Sequence, residues 1–131
     1  MTTYHLQIVT PDGSFYDGDA ERLIVRTIDG DVCILAKHIP YVTALGMGAA
    51  RVTIDGKDRQ AAVNGGLLTV TADHVRLVAT TFEWAEDIDA TRAARAKEEA
   101  ERRIASARDA HELQLAKAKL SRALVRLSVS Q

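Results

Sequence analysis

The chain is poor in the residues that crosslink or punctuate a fold. It has one cysteine, Cys33, so no disulfide can close within it, and a lone thiol fits a reducing compartment. There are two prolines, Pro11 and Pro40, and no glycine beyond Gly66, so nothing after that point breaks a helix. Aromatic residues make up 5%, too few for a base-stacking surface or an aromatic cage. No apolar run approaches the ~20 residues that cross a bilayer. Met1-Thr2-Thr3-Tyr4 leads directly into strand-like sequence, so no secretory or transit segment is expected. Charge of one sign is lacking too. Seventeen basic groups against 18 acidic ones leave a net −1, which excludes a generally basic nucleic-acid binder.

Signatures of catalysis are also missing. There is no G-x-x-x-x-G-K-[ST] loop and no G-x-G-x-x-G; Gly46-Met47-Gly48 is too short for either and reads as a turn. No G-x-S-x-G elbow occurs. His5, His38, His74 and His111 are dispersed without metal-ligand spacing, so no metal site is expected, and Cys33 reads as a small core residue. Asp12, Asp17, Asp19, Asp29 and Asp31 read as turn residues and solvated charges. An independent active site is therefore not expected.

What is present divides in two. Apolar residues are 47% of the chain, enough for a packed core. All the glycines and prolines and nearly all the aromatic and β-branched residues lie in residues 1–86, which carry a net −4. Residues 87–131 carry a net +3 and are rich in alanine. The shift near Trp84–Asp87 marks the boundary between a β domain, 1–86, and a helical domain, 87–131. Strands are expected at Tyr4–Thr10, Glu21–Ile28, Val32–Ala36, Ala49–Asp55, Asp58–Val63, Leu67–Thr71 and Val75–Thr81. Turns are expected at Pro11-Asp12-Gly13, Asp29-Gly30, Asp55-Gly56 and Asn64-Gly65-Gly66. Short strands at this spacing suggest a sandwich or flattened barrel. The fold class is a mostly β sandwich followed by an α-helical hairpin, α+β in two small domains.

The helical half reads as two helices. The first is capped by Asp87 or Asp89 and carries the stripe Ala93, Ala96, Ala100, Ile104, Ala107; the second carries Leu113, Ala116, Leu120, Leu124, Leu127. Ser106–His111 is the expected turn. It holds neither glycine nor proline, so the two helices could also join into one rod. A seam made largely of alanine buries little area and docks weakly. A hairpin of this kind is a candidate two-state element. Asp89 and Arg92 share a face at i,i+3, as do Arg122 and Arg126 at i,i+4. A closed hairpin would gather Arg92, Arg122 and Arg126 into a cationic site whose guanidinium forks suit phosphate oxygens.

In order and spacing, these features resemble the epsilon subunit of F-type ATP synthases, over essentially the whole chain. The matching residues are Ile8-Val9-Thr10-Pro11-Asp12-Gly13, then Gly30…Ile34-Leu35…His38-Ile39-Pro40-Tyr41-Val42-Thr43-Ala44-Leu45. Asn64-Gly65-Gly66-Leu67-Leu68 and Leu120-Ser121-Arg122-Ala123-Leu124-Val125-Arg126-Leu127 follow. The resemblance implies a non-catalytic rotor subunit of the central stalk, whose sandwich binds the gamma subunit and sits on the c-ring. Gly30, Asp31, His38 and Pro40 are the implied contacts there. It implies coupling of proton or sodium flow to ATP synthesis, and restraint of ATP hydrolysis by a tail that extends along gamma to the alpha/beta catalytic head. Lys117, Lys119, Arg122 and Arg126 would then face an acidic stretch of a beta subunit. Some members bind ATP at the folded hairpin through an I/L-D-x-x-R-A motif, which Ile88-Asp89-Ala90-Thr91-Arg92-Ala93 matches. Arg122, Arg126 and Glu83 match further contact positions. No cofactor is implied beyond regulatory ATP, no nucleic acid and no membrane insertion. The implied location is peripheral, on the cytoplasmic face of a bacterial membrane. The alternative is a nucleotide-sensing module whose main role is ATP occupancy. The chain departs from the family pattern at Cys33 and at Ala36-Lys37, where Pro-Gly is usual, so the loop before His38 is expected to have another shape. Asp31 keeps the charge of the usual Glu.

Overall fold

A computed structural model describes residues 2–37 and 39–130; the expected contact at His38 lies outside them. Eight strands come first: β1 Tyr4–Thr10, β2 Gly13–Ala20, β3 Arg22–Thr27, β4 Gly30–Leu35, β5 Tyr41–Ala44, β6 Met47–Ile54, β7 Lys57–Val70 and β8 His74–Trp84. A 3-10 turn, η1, covers Ala85–Asp87. Helices α1, Ala90–Ser106, and α2, Ala110–Ser130, complete the chain. The strand order is β2-β1-β8-β7-β6-β3-β4, with β5 on β7. Pairing is antiparallel except between β1 and β8.

The sandwich arises because β7 and β8 serve both layers. The first part of β7, Lys57–Asn64, pairs with β6, and its last part, Leu67–Val70, pairs with β5. Between them lie Gly65 and Gly66, at φ +67° and +116°. Asn64-Gly65-Gly66 is therefore a bend inside one continuous strand, not the expected turn between two. The bend brings Gly66 against β8, where a Cβ would stand 2.0 Å from the Val78 carbonyl oxygen. Its peptide groups find partners across the layers: Leu45 N–H donates to the Gly66 carbonyl at 2.9 Å, and Gly65 N–H to the Gly46 carbonyl at 3.1 Å. Leu6, Ile8, Leu23, Val25, Val52, Leu68, Val70, Val75 and Leu77 fill the space between the layers and are fully buried. Each such side chain contributes ~1.5–3 kcal/mol. Tyr4 closes one side of this core, its hydroxyl donating to the Ile34 carbonyl at 2.8 Å. Burial raises that phenol's pKa.

Three other expectations are corrected. β2, the segment Gly-Ser-Phe-Tyr-Asp-Gly-Asp-Ala, is a strand at the sheet edge rather than a run of turn residues. An edge strand tolerates polar residues on its open side, and Asp17 pairs with His5 of β1 at 2.6 Å. β5 is a four-residue strand where none is expected. Cys33 is exposed, not in the core. Along β4 the buried residue is Ile34, so its neighbours Cys33 and Leu35 point to the other face. The expected change at Ala36-Lys37 shows as a left-handed Lys37, φ 63°, in a position that glycine would take without strain.

The helical hairpin is broken by side chains alone. Asp89 Oδ1 accepts from Arg92 N–H at 3.1 Å and starts α1. Asp109 Oδ1 accepts from Glu112 N–H at 2.8 Å, while the Glu112 carboxylate accepts from Arg108 N–H at 2.9 Å. This reciprocal capping replaces the missing glycine at residues 107–109. On α2 the stripe runs from Ala116 to Ala123, both buried, whereas Leu124 is 45% exposed. After Leu120 the seam continues at i+3, where a small residue lets the helices approach, and i+4 falls on the solvent side.

Gly66→Ala should cost at least ~3 kcal/mol in urea unfolding, because backbone must move. Gly56→Ala, with positive φ but no neighbour within 4 Å, should cost ~1–2 kcal/mol. Equal costs would refute the bend as a close-approach site. Asp109→Ala should cost ~1 kcal/mol, read as faster amide exchange at the start of α2.

Candidate functional site at the foot of the hairpin

The sheet prepares a seat for α2. Ala62 of β7 pairs with Ala49 of β6 on one side and Glu83 of β8 on the other. Ala62 is buried yet lies outside the sandwich core, because α2 crosses β6 and β7 there. The small side chain of Ala62 lets the helix come close, and Glu83 supplies the charge at the edge of the seat. Arg126 of α2 meets it: Arg126 Nε and Nη2 each lie 2.5 Å from Glu83 Oε1. The two side chains are 37% and 32% exposed. An ion pair that wet is worth ~1 kcal/mol at most. It fixes where α2 sits more than how tightly.

Arg126 borders three hollows. A cleft of about 80 Å³ is lined by Glu83, Asp87, Ile88, Asp89, Arg92 and Arg126. Beside it, a cavity of about 330 Å³ between sheet and helix is lined by Met47, Asn64, Thr81, Glu83, Arg122 and Arg126, among others. Along the hairpin, a groove of about 230 Å³ has a floor of Ala96, Ala100 and Ala123 beneath Arg103, Lys119, Arg122 and Arg126, with Glu99 as its acid. Glu99 is held at 2.6 Å by Arg103. The cleft alone is smaller than ordinary small-molecule sites; joined to the cavity it reaches their lower range. Guanidinium forks suit phosphate or carboxylate oxygens, and Glu83, Asp87 and Asp89 can accept from hydroxyl or amine donors. Among the described residues no group of three His, Cys, Asp or Glu stands ready for a metal ion.

The fold thus brings together Glu83, Ile88, Asp89, Arg92 and Arg126 in one cleft. Arg122 lies one helical turn away in the adjoining cavity, and Ala93 is buried on α1 rather than lining the cleft. Asp87, weighed as a helix cap, is a cleft residue, while Asp89 performs the capping. Met47, Asn64 and Thr81 were not legible as site residues, since they meet α2 only through strand pairing. Lys117 and Lys119 are exposed two positions apart on α2 and so do not share a face with each other; Lys119 alone joins the arginine groove. Gly30 and Asp31 open β4, with Asp31 held at 2.6 Å by Arg26, whereas Pro40 follows the far end of that strand. Roughly 16 Å of strand separates the two. Ile28 and Ile39, 69% and 82% exposed, stand beside these contacts.

Two family models match the chain: the ATP synthase delta/epsilon chain beta-sandwich domain over residues 3–85, and the long alpha-helix domain over residues 86–131. The ATP synthase epsilon chain of Shouchella clausii is 44% identical over 131 residues, covering 100% of this chain and 97% of that one. Among solved structures, a chain of the Euglena gracilis mitochondrial ATP synthase, solved with OSCP, F1 and c-ring, superposes at a TM-score of 0.87 with 22% identity. It covers 100% of this chain and 83% of that one. A chain from the central stalk and c-ring of the Tetrahymena thermophila mitochondrial enzyme superposes at 0.67 with 12% identity, covering 99% and 98%. At those identities the likeness concerns the fold. With a sandwich followed by a helical hairpin, and with matches to both family models and to an epsilon chain along its length, the chain belongs to the ATP synthase delta/epsilon family as an epsilon chain, a stalk subunit that is not itself catalytic.

Proposed function

We propose that this chain is a rotor subunit whose sandwich binds the gamma subunit and rests on the c-ring. In this reading its hairpin restrains ATP hydrolysis when it leaves the sandwich. The observation that carries the second part is the seating of the hairpin. α2 supplies the main contacts to the sandwich, with Val125 near Ala62 and one ion pair about a third exposed. A seat so small and wet can be left at low cost. The chains it superposes on come from assemblies of F1 or central stalk with the c-ring, which supports the first part.

Arg126 is the residue that both states use. Closed, its charge is committed to Glu83. Extended, it joins Lys117, Lys119 and Arg122 on a tail of net +3, opposite an acidic stretch of a beta subunit. ATP would favour the closed state by filling the cleft and cavity, with phosphates toward Arg122 and Arg126 and with Asp89 and Glu83 accepting from ribose or base. Arg92 and Ile88 border the same cleft. A ligand shifts such a balance only by its difference in affinity for the two states, and a 100-fold preference is worth ~2.7 kcal/mol. A role centred on ATP occupancy, as a sensor, rests on the same cleft. No helix among the described residues is long and apolar enough to cross a membrane. The reading places the chain at the cytoplasmic face of a bacterial membrane through its partners, with proton or sodium flow coupled to ATP synthesis by rotation.

Deleting residues 88–131 from the assembled enzyme should raise ATP hydrolysis severalfold; unchanged hydrolysis would sink the restraint and leave the structural role. Calorimetric titration of ATP into the full chain should show saturable heat that is lost in Asp89→Ala/Arg92→Ala. Absence of binding at millimolar ATP would leave those two residues as helix-end groups.

A further inference from the structure

Trp84, the chain's one tryptophan, ends β8 and is 5% exposed. Three neighbours hold it. Phe82 meets its ring edge-on, centroids 4.9 Å apart. Its Nε1 donates to the Phe15 carbonyl at 3.3 Å. Arg59 of β7 lies over the ring, guanidinium carbon 3.8 Å from the centroid. The same guanidinium pairs through Nη2 with Glu86 of η1. Arg59 thus grips both the last residue of the sandwich and the turn beyond it. The Glu86 carboxyl is held below the ordinary range, first by its own backbone N–H and then by Arg59.

The next two residues differ. Ile88 and Asp89 are extended, at φ,ψ of −79°,127° and −83°,100°. Their hydrogen bonds are local: Ile88 N–H donates to the Ala85 carbonyl, and Asp89 caps α1. Both residues line the cleft under Arg126. Any rotation there carries Asp89 and Arg92 away from Glu83 and takes the cleft apart.

We propose that Arg59 is a latch that keeps η1 seated on the sandwich in both states of the tail, so that the hairpin pivots at Ile88–Asp89. The proposal rests on the reading that the helices leave the sandwich. Its consequence is a short tether. With η1 latched, only two residues link sandwich to α1, and the released hairpin stays at high effective concentration near its seat. Without the latch the tether begins at Ala85, and the hairpin returns to its seat less often. Arg59 is a positioning residue here, acting through Trp84 and Glu86.

Amide exchange and Trp84 emission in the full-length chain test this. Glu83→Lys sets a like charge against Arg126 and should open the hairpin. Exchange in α2 should then rise about tenfold, while amides 85–88 stay within about twofold of the parent and Trp84 emission is unmoved. Adding Arg59→Gln should release amides 85–88 together with α2 and shift Trp84 emission to the red. Amides 85–88 speeding up with α2 while Arg59 is intact would overturn the latch. So would their continued protection in the double variant. If α2 stays protected in Glu83→Lys, it is the release reading that fails. The latch is then judged on Arg59→Gln alone, where amides 85–88 must exchange at least about threefold faster; unchanged exchange overturns it.

Discussion

Gly66 lies so close to the Val78 carbonyl that no side chain fits between them. That approach bends β7 and lets its 14 residues belong to two layers, pairing with β6 before the bend and β5 after it. Much else follows from the bend. It closes a core around Leu68 and Leu77, and it turns Ala62 and Glu83 outward together on the surface where α2 lies. The seat of the helical hairpin is thus made by the strand pair that builds the sandwich.

The two halves of the molecule are held by forces of different strength. Inside the sandwich, fully buried Leu, Ile and Val make a cooperative unit. Between sandwich and hairpin there are Ala62, Val125, a few other partly buried residues and the Glu83–Arg126 pair. The hairpin has an alanine seam and a turn held by Asp109 and Glu112. The sandwich is thus held far more firmly than the hairpin is held to it, which suits the proposed release of the helices. The transition between the two regimes is narrow, at η1, where Arg59 meets Trp84 and Glu86.

Much of this was legible in residue patterns. Strand-like runs between turn signals marked β1, β3, β4, β6 and β8, and the composition shifts to helix-like sequence near Trp84. Asp89 and Arg92, three apart at a helix start, pointed to a shared face. The motif and the order of segments pointed to the family. Other features were not legible. β2 carries glycines and aspartates that read as turns, because an edge strand need bury only one face. The seam chose Ala123 over Leu124 because helix approach, not hydrophobicity, decided it. Cys33 looked like core, yet its face of β4 is open.

By itself the sequence determined what depends on near neighbours along the chain: the helices and their caps, most strands, the absence of motifs for metal or nucleophile chemistry, and the basic tail after an acidic β half. Those rest on periods of two and 3.6 residues and on side chains reaching backbone three positions away. Only the tertiary structure decided that Arg126 meets Glu83, 43 positions earlier, that Asp87 joins the cleft, and that Arg59 holds the turn after Trp84. These contacts are set by how β7 bends and where α2 lies. That depends on close approach between distant backbones, and spacing along the chain carries no record of it.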